Sequence, residues 1–83
     1  MRVTVRLFAR LREVAGQATC ECELDAGASV ADVWRAVTRR HPALEPFGAS
    51  LSAAVNADFA RMTASVCDGD EVAFLPPVSG GAQ

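Results

Sequence analysis

Few residues in this chain could do chemistry on their own. There is one His, His41, and there are three Cys: Cys20, Cys22 and Cys67. Cys20 and Cys22 stand two apart in a stretch that reads as a strand, so their thiols face the same way. They read as small core residues. A zinc site would need a fourth ligand, and His41 sits beside Pro42 at a predicted helix end, so no metal site is expected. No Ser/His/Asp set, no motif of paired carboxylates and no phosphate loop is found. The remaining unusual stretch is "FLPPVSGGAQ", Phe74 to Gln83. Gly80 and Gly81 have no Cβ and permit close backbone approach. Pro76 and Pro77 pre-extend the chain ahead of them, which reduces the entropy lost if the arm docks in a narrow path. Diglycine alone reads equally as a frayed terminus rich in turn residues. The approach to it, "GDEVAFLPPVS", is what favours an arm built to be presented.

The eight basic residues are all Arg. Arg-favouring codons in a GC-rich genome account for that, and a chain without Lys also offers no side-chain amine to an activated acyl group. With a net charge of −2, the basic excess of a nucleic-acid binder is missing. No apolar run approaches the roughly 20 residues that span a bilayer. The opening "MRVTVRLFAR" alternates and lacks the apolar core and cleavage site of a signal peptide, so the cytoplasm is the expected location. Eighty-three residues make one small domain, near the lower limit for a core without staples. Hydrophobic residues are 51% of the chain but aromatics only 6%, so that core must come mainly from Val, Leu and Ala.

Residues 2–8 alternate, with Val3, Val5 and Leu7 on one face and Arg2, Thr4, Arg6 and Phe8 on the other, as in a half-buried strand. Residues 9–17 connect, with a short helical turn around Leu11 to Val14 closed by Gly16. Residues 18–24 alternate again, with Cys20, Cys22 and Leu24 inward. The inward sets have opposite parity, so an antiparallel pairing must match odd with even. One such register sets Leu7 opposite Cys20, Val5 opposite Cys22 and Val3 opposite Leu24, with Arg6 facing Glu21 and Arg2 facing Asp25. "SVAD" resembles a capping box with Asp in place of Glu. Val30, Val33, Trp34 and Val37 then recur at helical spacing, predicting a helix over about 30–40 with Trp34 as the main core aromatic. Pro42 ends it. Residues 43–50 read as a loop, "LSAAVN" as a strand, and Asn56-Ala57-Asp58 as a turn before a short strand near Phe59 to Met62. "CDGDE" is a tight turn around Gly69, and "EVAFL" is the last strand, with Val72 and Phe74 on one face. One helix against a mixed sheet of four to five strands is a two-layer α+β domain.

Order and motifs together resemble the β-grasp sulfur-carrier family, whose members include the small subunit of molybdopterin synthase. The resemblance covers the whole chain: the opening "VRLFARLRE", the helix ending near "HP", the "AVN" strand and the run "GDEVAFLPPVSGG". It implies a ubiquitin-like β-grasp domain over 1–75 and a flexible C-terminal tail with diglycine over 76–83. It also implies a carrier with no catalytic constellation or permanently bound cofactor. In such proteins an E1-like adenylyltransferase uses ATP with Mg to adenylate the C-terminal glycine carboxylate. A sulfur donor converts the adenylate to a thiocarboxylate, and the tail enters the large synthase subunit, where sulfur attacks a cyclic pterin precursor. On this chain Gly81 would carry the sulfur, with Gly80 beside it in the channel. Pro76, Pro77, Val78 and Ser79 would form the approach. First and last strands are adjacent and parallel in this fold. Phe8 and Leu75 would therefore lie together at the tail root as exposed apolar residues that bind a partner.

One departure is plain. Members of this type normally end at the second glycine, and here Ala82 and Gln83 follow, so Gly81 holds a peptide carbonyl that cannot be adenylated. A native extension removed by a tail-trimming peptidase, residues added by cloning, and a paralogue retired from the chemistry would each explain it. The intact approach to the diglycine favours the first two. Two alternatives stand beside the molybdenum reading. One is a carrier for thiamine, cysteine or another thio-metabolite, and the other is a ubiquitin-like modifier or binding domain.

Overall fold

The computed structural model describes residues 1–77. The elements in chain order are β1 (Arg2–Leu7), α1 (Ala9–Ala15), β2 (Thr19–Glu23), α2 (Val30–Arg40), a 3-10 segment (Pro42–Phe47), β3 (Ser52–Val55), β4 (Asp58–Ala60) and β5 (Glu71–Leu75). Five strands form one mixed sheet in the order β2-β1-β5-β3-β4. The central strand β5 runs parallel to its neighbour β1, and every other pairing is antiparallel. This is the ubiquitin-like β-grasp arrangement, with α2 packed on one face.

Alternation decides which face is buried. Val3, Val5 and Leu7 of β1, Cys22 of β2, Ala53 of β3 and Val72 and Phe74 of β5 are all buried. They meet Val30, Val33, Trp34 and Val37 of α2, the predicted stripe. Trp34 packs edge-on against Phe74, with ring centroids 4.9 Å apart at 62°, a geometry that adds roughly 0.5–1.5 kcal/mol to plain burial. Gly48 passes so close to this ring that a Cβ there would lie 2.8 Å from Trp34 Nε1.

The N-terminus of α2 is closed by the capping box. The Asp32 amide donates to Ser29 Oγ, and the Ser29 amide donates to the Asp32 carboxylate. The Val30 and Ala31 amides, left over in the first turn, donate to the carbonyls of Ala64 and Met62. The loop before β5 is thereby tied to the helix.

Four expectations are corrected. The β1–β2 register is displaced by two residues: Val3 faces Cys22, Val5 faces Cys20, Arg2 faces Glu23 and Arg6 faces Thr19. A two-residue slip keeps every side chain on its face, so parity could not tell the two registers apart. The charges still pair across strands. Arg2 Nε donates to Glu23 at 2.8 Å, while Arg6 reaches Glu71 on the other neighbour at 3.6 Å. Second, the connection after β1 is a full helix, Ala9–Ala15, with Leu11 buried beneath it. Third, the loop at 43–50 begins as a 3-10 segment in which Leu44 is fully buried. Pro42 both stops α2 and opens this segment, where its missing N–H costs nothing. Fourth, β4 starts at Asp58, because Asn56 and Ala57 both take positive φ (50° and 74°) and close a two-residue hairpin turn.

Candidate docking face and tail root

The sheet register places the root of the C-terminal arm. Leu7 of β1 lies beside Phe74 of β5, so the next residues, Phe8 and Leu75, leave the same end of the sheet. Ser52 of β3 is the partner of Leu75 on the other side. The opposite end is fixed by Asp70. Its carboxylate accepts the Cys67 amide at 2.7 Å and the Asn56 side-chain amide at 3.0 Å, while Asn56 Oδ1 accepts the Glu71 amide. The Asn56 and Cys67 bonds hold the Asp70 carboxyl below its ordinary value. The start of β5, and hence the exit of the arm, is therefore set by side-chain bonds as well as by the ladder.

The face away from α2 carries a cross-strand row. Arg6 is beside Ala73, Ala73 beside Ala54, and Ala54 beside Phe59. The neighbouring row toward the arm holds Leu75 and Ser52. Phe59 is 86% exposed, the one large hydrophobic residue this open among the described residues. Ala54, Ala73, Leu75, Phe8 and Pro76 are half-buried, and Pro77 is exposed. The result is an apolar strip from the tail root across to the β4 edge.

Two points differ from the sequence reading. Phe8 and Leu75 follow the paired Leu7 and Phe74 at the same end of the sheet, but they are half-buried rather than exposed. Phe8 turns straight into α1, its carbonyl accepting the Leu11 amide, and the Arg6 guanidinium stands 5.4 Å from its ring centroid. Leu75 is paired with Ser52 of β3. The exposed apolar member is Phe59, which sequence reasoning passed over. Its signal was present, as a large aromatic flanked by Asp58 and Ala60 in a short strand, but three residues are too few for alternation to declare a face. Val78, Ser79, Gly80, Gly81, Ala82 and Gln83 lie outside the described residues.

The groups that could do chemistry are elsewhere. Cys20 is half-buried and Cys22 buried, on the face toward α2. Burial pushes both thiols up, against the pull of Arg40, so neither is held as a thiolate. Cys67 is exposed in the turn at the end opposite the arm. The Gln17 side-chain amide nitrogen lies 3.0 Å from His41 Nε2. Among the described residues, no group of three or more His, Cys, Asp or Glu could hold a metal. No helix among them is long and apolar enough to cross a membrane. Among the described residues, the sheet presents an apolar strip beside the root of the C-terminal arm.

Comparison with known proteins agrees with this architecture. The ThiS family profile matches residues 5–81. The molybdopterin synthase sulfur carrier subunit of Chlamydomonas reinhardtii is 39% identical over 98% of this chain and the whole of that protein. Small archaeal modifier protein 1 of Haloferax volcanii is also 39% identical, over 92% of this chain and 97% of its own. Its crystal structure superposes with a TM-score of 0.88, covering 98% of this chain and all of that one. A chain of the Amycolatopsis orientalis BexX/CysO complex matches at 27% identity and TM-score 0.74, over 95% of this chain and 99% of its own. A matched profile that runs from β1 through the diglycine, on a β-grasp sheet whose central strand ends just before the tail, places this chain in the ThiS family of β-grasp sulfur carriers.

Proposed function

We propose that this chain carries sulfur as a thiocarboxylate on Gly81 and donates it to a cyclic pterin precursor inside molybdopterin synthase. The observation that carries the reading is end-to-end similarity to a molybdopterin synthase sulfur carrier subunit, diglycine approach included. Hydrolysis of the Gly81–Ala82 bond by a peptidase first frees the carboxylate. An E1-like adenylyltransferase, using ATP with Mg, makes its oxygen a leaving group, and a sulfur donor replaces it. The thiocarboxylate sulfur is the softer and better nucleophile, so the carrier needs no base of its own. The large synthase subunit takes the arm, Pro76 to Gly81, while Phe8, Leu75 and Phe59 seat against its surface. Relatives solved as complexes support a carrier that works docked.

Reconstitution tests this directly. The chain ending in a Gly81 thiocarboxylate, mixed with a large synthase subunit and the precursor, should convert the precursor to its dithiolene. No conversion, with sulfur still delivered to another thio-metabolite acceptor, would assign the chain to a different sulfur pathway. A second reading is favoured by the equal similarity to a protein named a modifier: Gly81 forms amides with lysines of other proteins. Mass spectrometry of lysine-linked Gly81 remnants in cells tests it, and finding none would remove it.

A further inference from the structure

We infer that this chain is an acyl donor with no side-chain acceptor of its own and no reach to its own α-amine, so any isopeptide amide it forms joins a single copy of it to a lysine of a different protein. The inference rests on the proposal that the Gly81 carboxyl is activated, and it adds what the activated group can meet.

Activation creates a hazard. An acyl-adenylate, or the thioester it yields, is attacked by any unprotonated amine in reach. The amine nitrogen bonds to the Gly81 carbonyl carbon, and the C–O bond to AMP or the C–S bond to the thiol breaks. The leaving group keeps the electron pair, and the amine gives its proton to solvent. The amide so formed no longer carries activation, so amines are the sink. Thiols are not: transfer to Cys67 or Cys20 would give another thioester, still activated.

The chain is empty of side-chain amines. Its eight cationic residues are all Arg, and none is Lys. A guanidinium keeps its proton at any physiological pH and does not compete as a nucleophile. Whatever set the codon usage, the chemical consequence is the same.

The α-amino group of Met1 is disposed of by geometry. It donates to the Leu24 carbonyl at 2.7 Å. It also lies at the wrong end. The Arg2 amide donates to Asp68, and the Gly69 amide donates to the Arg2 carbonyl. These bonds pin the start of β1 beside the turn before β5, whereas the arm leaves from the far end of β5. Seven steps of strand separate Met1 from the level of Phe8 and Leu75, about 23 Å. The six residues from Leu75 to Gly81 reach at most roughly 20–22 Å when fully extended and aimed straight back along the sheet. Even that straight path falls short of the amine, and β5 itself ends running away from Met1.

The experiment uses residues 1–81 as a C-terminal thioester, which keeps every described element and the whole buried core, whose last member is Phe74. Wild type is compared with the double variant Arg12→Lys/Arg39→Lys. Both positions are exposed and have no ion-pair partner among the described residues. Each is held concentrated at mildly alkaline pH, alone or with free lysine, and intact mass is read after hydroxylamine has removed thioesters. Wild type alone should give only hydrolysed monomer, wild type with lysine the lysine amide, and the double variant alone carrier–carrier amides. Self-amides or cyclised wild type forming as fast as the variant's adducts would overturn the inference. So would a variant that forms none, because the missing lysines would then protect nothing. Because the thioester is installed chemically, either failure is separate from whether cells activate Gly81.

Discussion

Truncating Phe59 separates the docking face from the fold more sharply than any other change. Fully burying a Phe side chain contributes about 1.5–3 kcal/mol. Phe59 is 86% exposed in the free chain, so nearly all of that gain remains available to a partner, about 1.3–2.6 kcal/mol. Phe59→Ala should therefore raise the Kd for a large synthase subunit roughly ten- to eighty-fold. The same exposure limits the cost to folding to within about 0.5 kcal/mol, or about 2–4 °C in Tm for a domain of this size. Phe74→Ala is the contrast: it empties the core beneath Trp34 and should cost about 3–5 kcal/mol of stability. Calorimetric titration against the large subunit, with melting curves for both variants, reads the two effects separately. An unchanged Kd for Phe59→Ala would refute the docking face. A loss of stability rivalling that of Phe74→Ala would mean that Phe59 belongs to the core.

Four other outcomes are expected. Leu75→Glu should weaken partner binding by placing a charge in the apolar strip beside the arm, and unchanged affinity in the same titration would put Leu75 outside the interface. Gly81→Ala should leave the melting curve intact and sharply reduce sulfur transfer, whereas full transfer would remove Gly81 as the carrier. Gly48→Ala should cost about 1–3 kcal/mol through overpacking against Trp34, read by melting and Trp fluorescence; its φ of −60° rules out backbone strain as the cause. Acid should destabilise through Asp32 and Asp70. Hydrogen bonds lower both carboxyls in the folded state, led by the Ser29 amide for Asp32 and the Asn56 side chain for Asp70. Their contribution is thus full above the ordinary value of 3.8 and lost as pH falls below it through the folded pKa. Asp32→Asn/Asp70→Asn should flatten Tm against pH in that window, and an unchanged slope would contradict it.

The parts of the fold legible in the sequence are those where one physical rule acts over many residues. The α2 stripe spans two turns and its cap is spelled out by Ser29 and Asp32, so helix and boundary could both be read. β1 and β5 are long enough to alternate, which set their buried faces. Parity could not choose between registers two residues apart, because a two-residue slip exposes nothing. What distinguishes them is tertiary: Arg2 with Glu23, and the Leu7 amide on the Ala18 carbonyl. The 3-10 segment hid behind Pro42 and Pro46, which read as loop signals while Leu44 between them filled the core. Phe8 and Leu75 could be placed at one end of the sheet by resemblance to the fold, but the exposure of Phe8 depended on Arg6 and on where α1 begins. Phe59 did not stand out in the sequence because the row Arg6–Ala73–Ala54 beside it is assembled from strands far apart in sequence.

The central claim is that Gly81 becomes a thiocarboxylate, and intact mass reads it directly. The full chain is produced in its own host, or together with an E1-like adenylyltransferase, a sulfur donor and the trimming activity, and then weighed whole. The account predicts loss of Ala82 and Gln83 and a gain equal to exchange of one oxygen for sulfur, localised to Gly81 by fragmentation. A chain that keeps its full-length mass, or ends at Gly81 with both carboxylate oxygens in place when all partners are present, would contradict it.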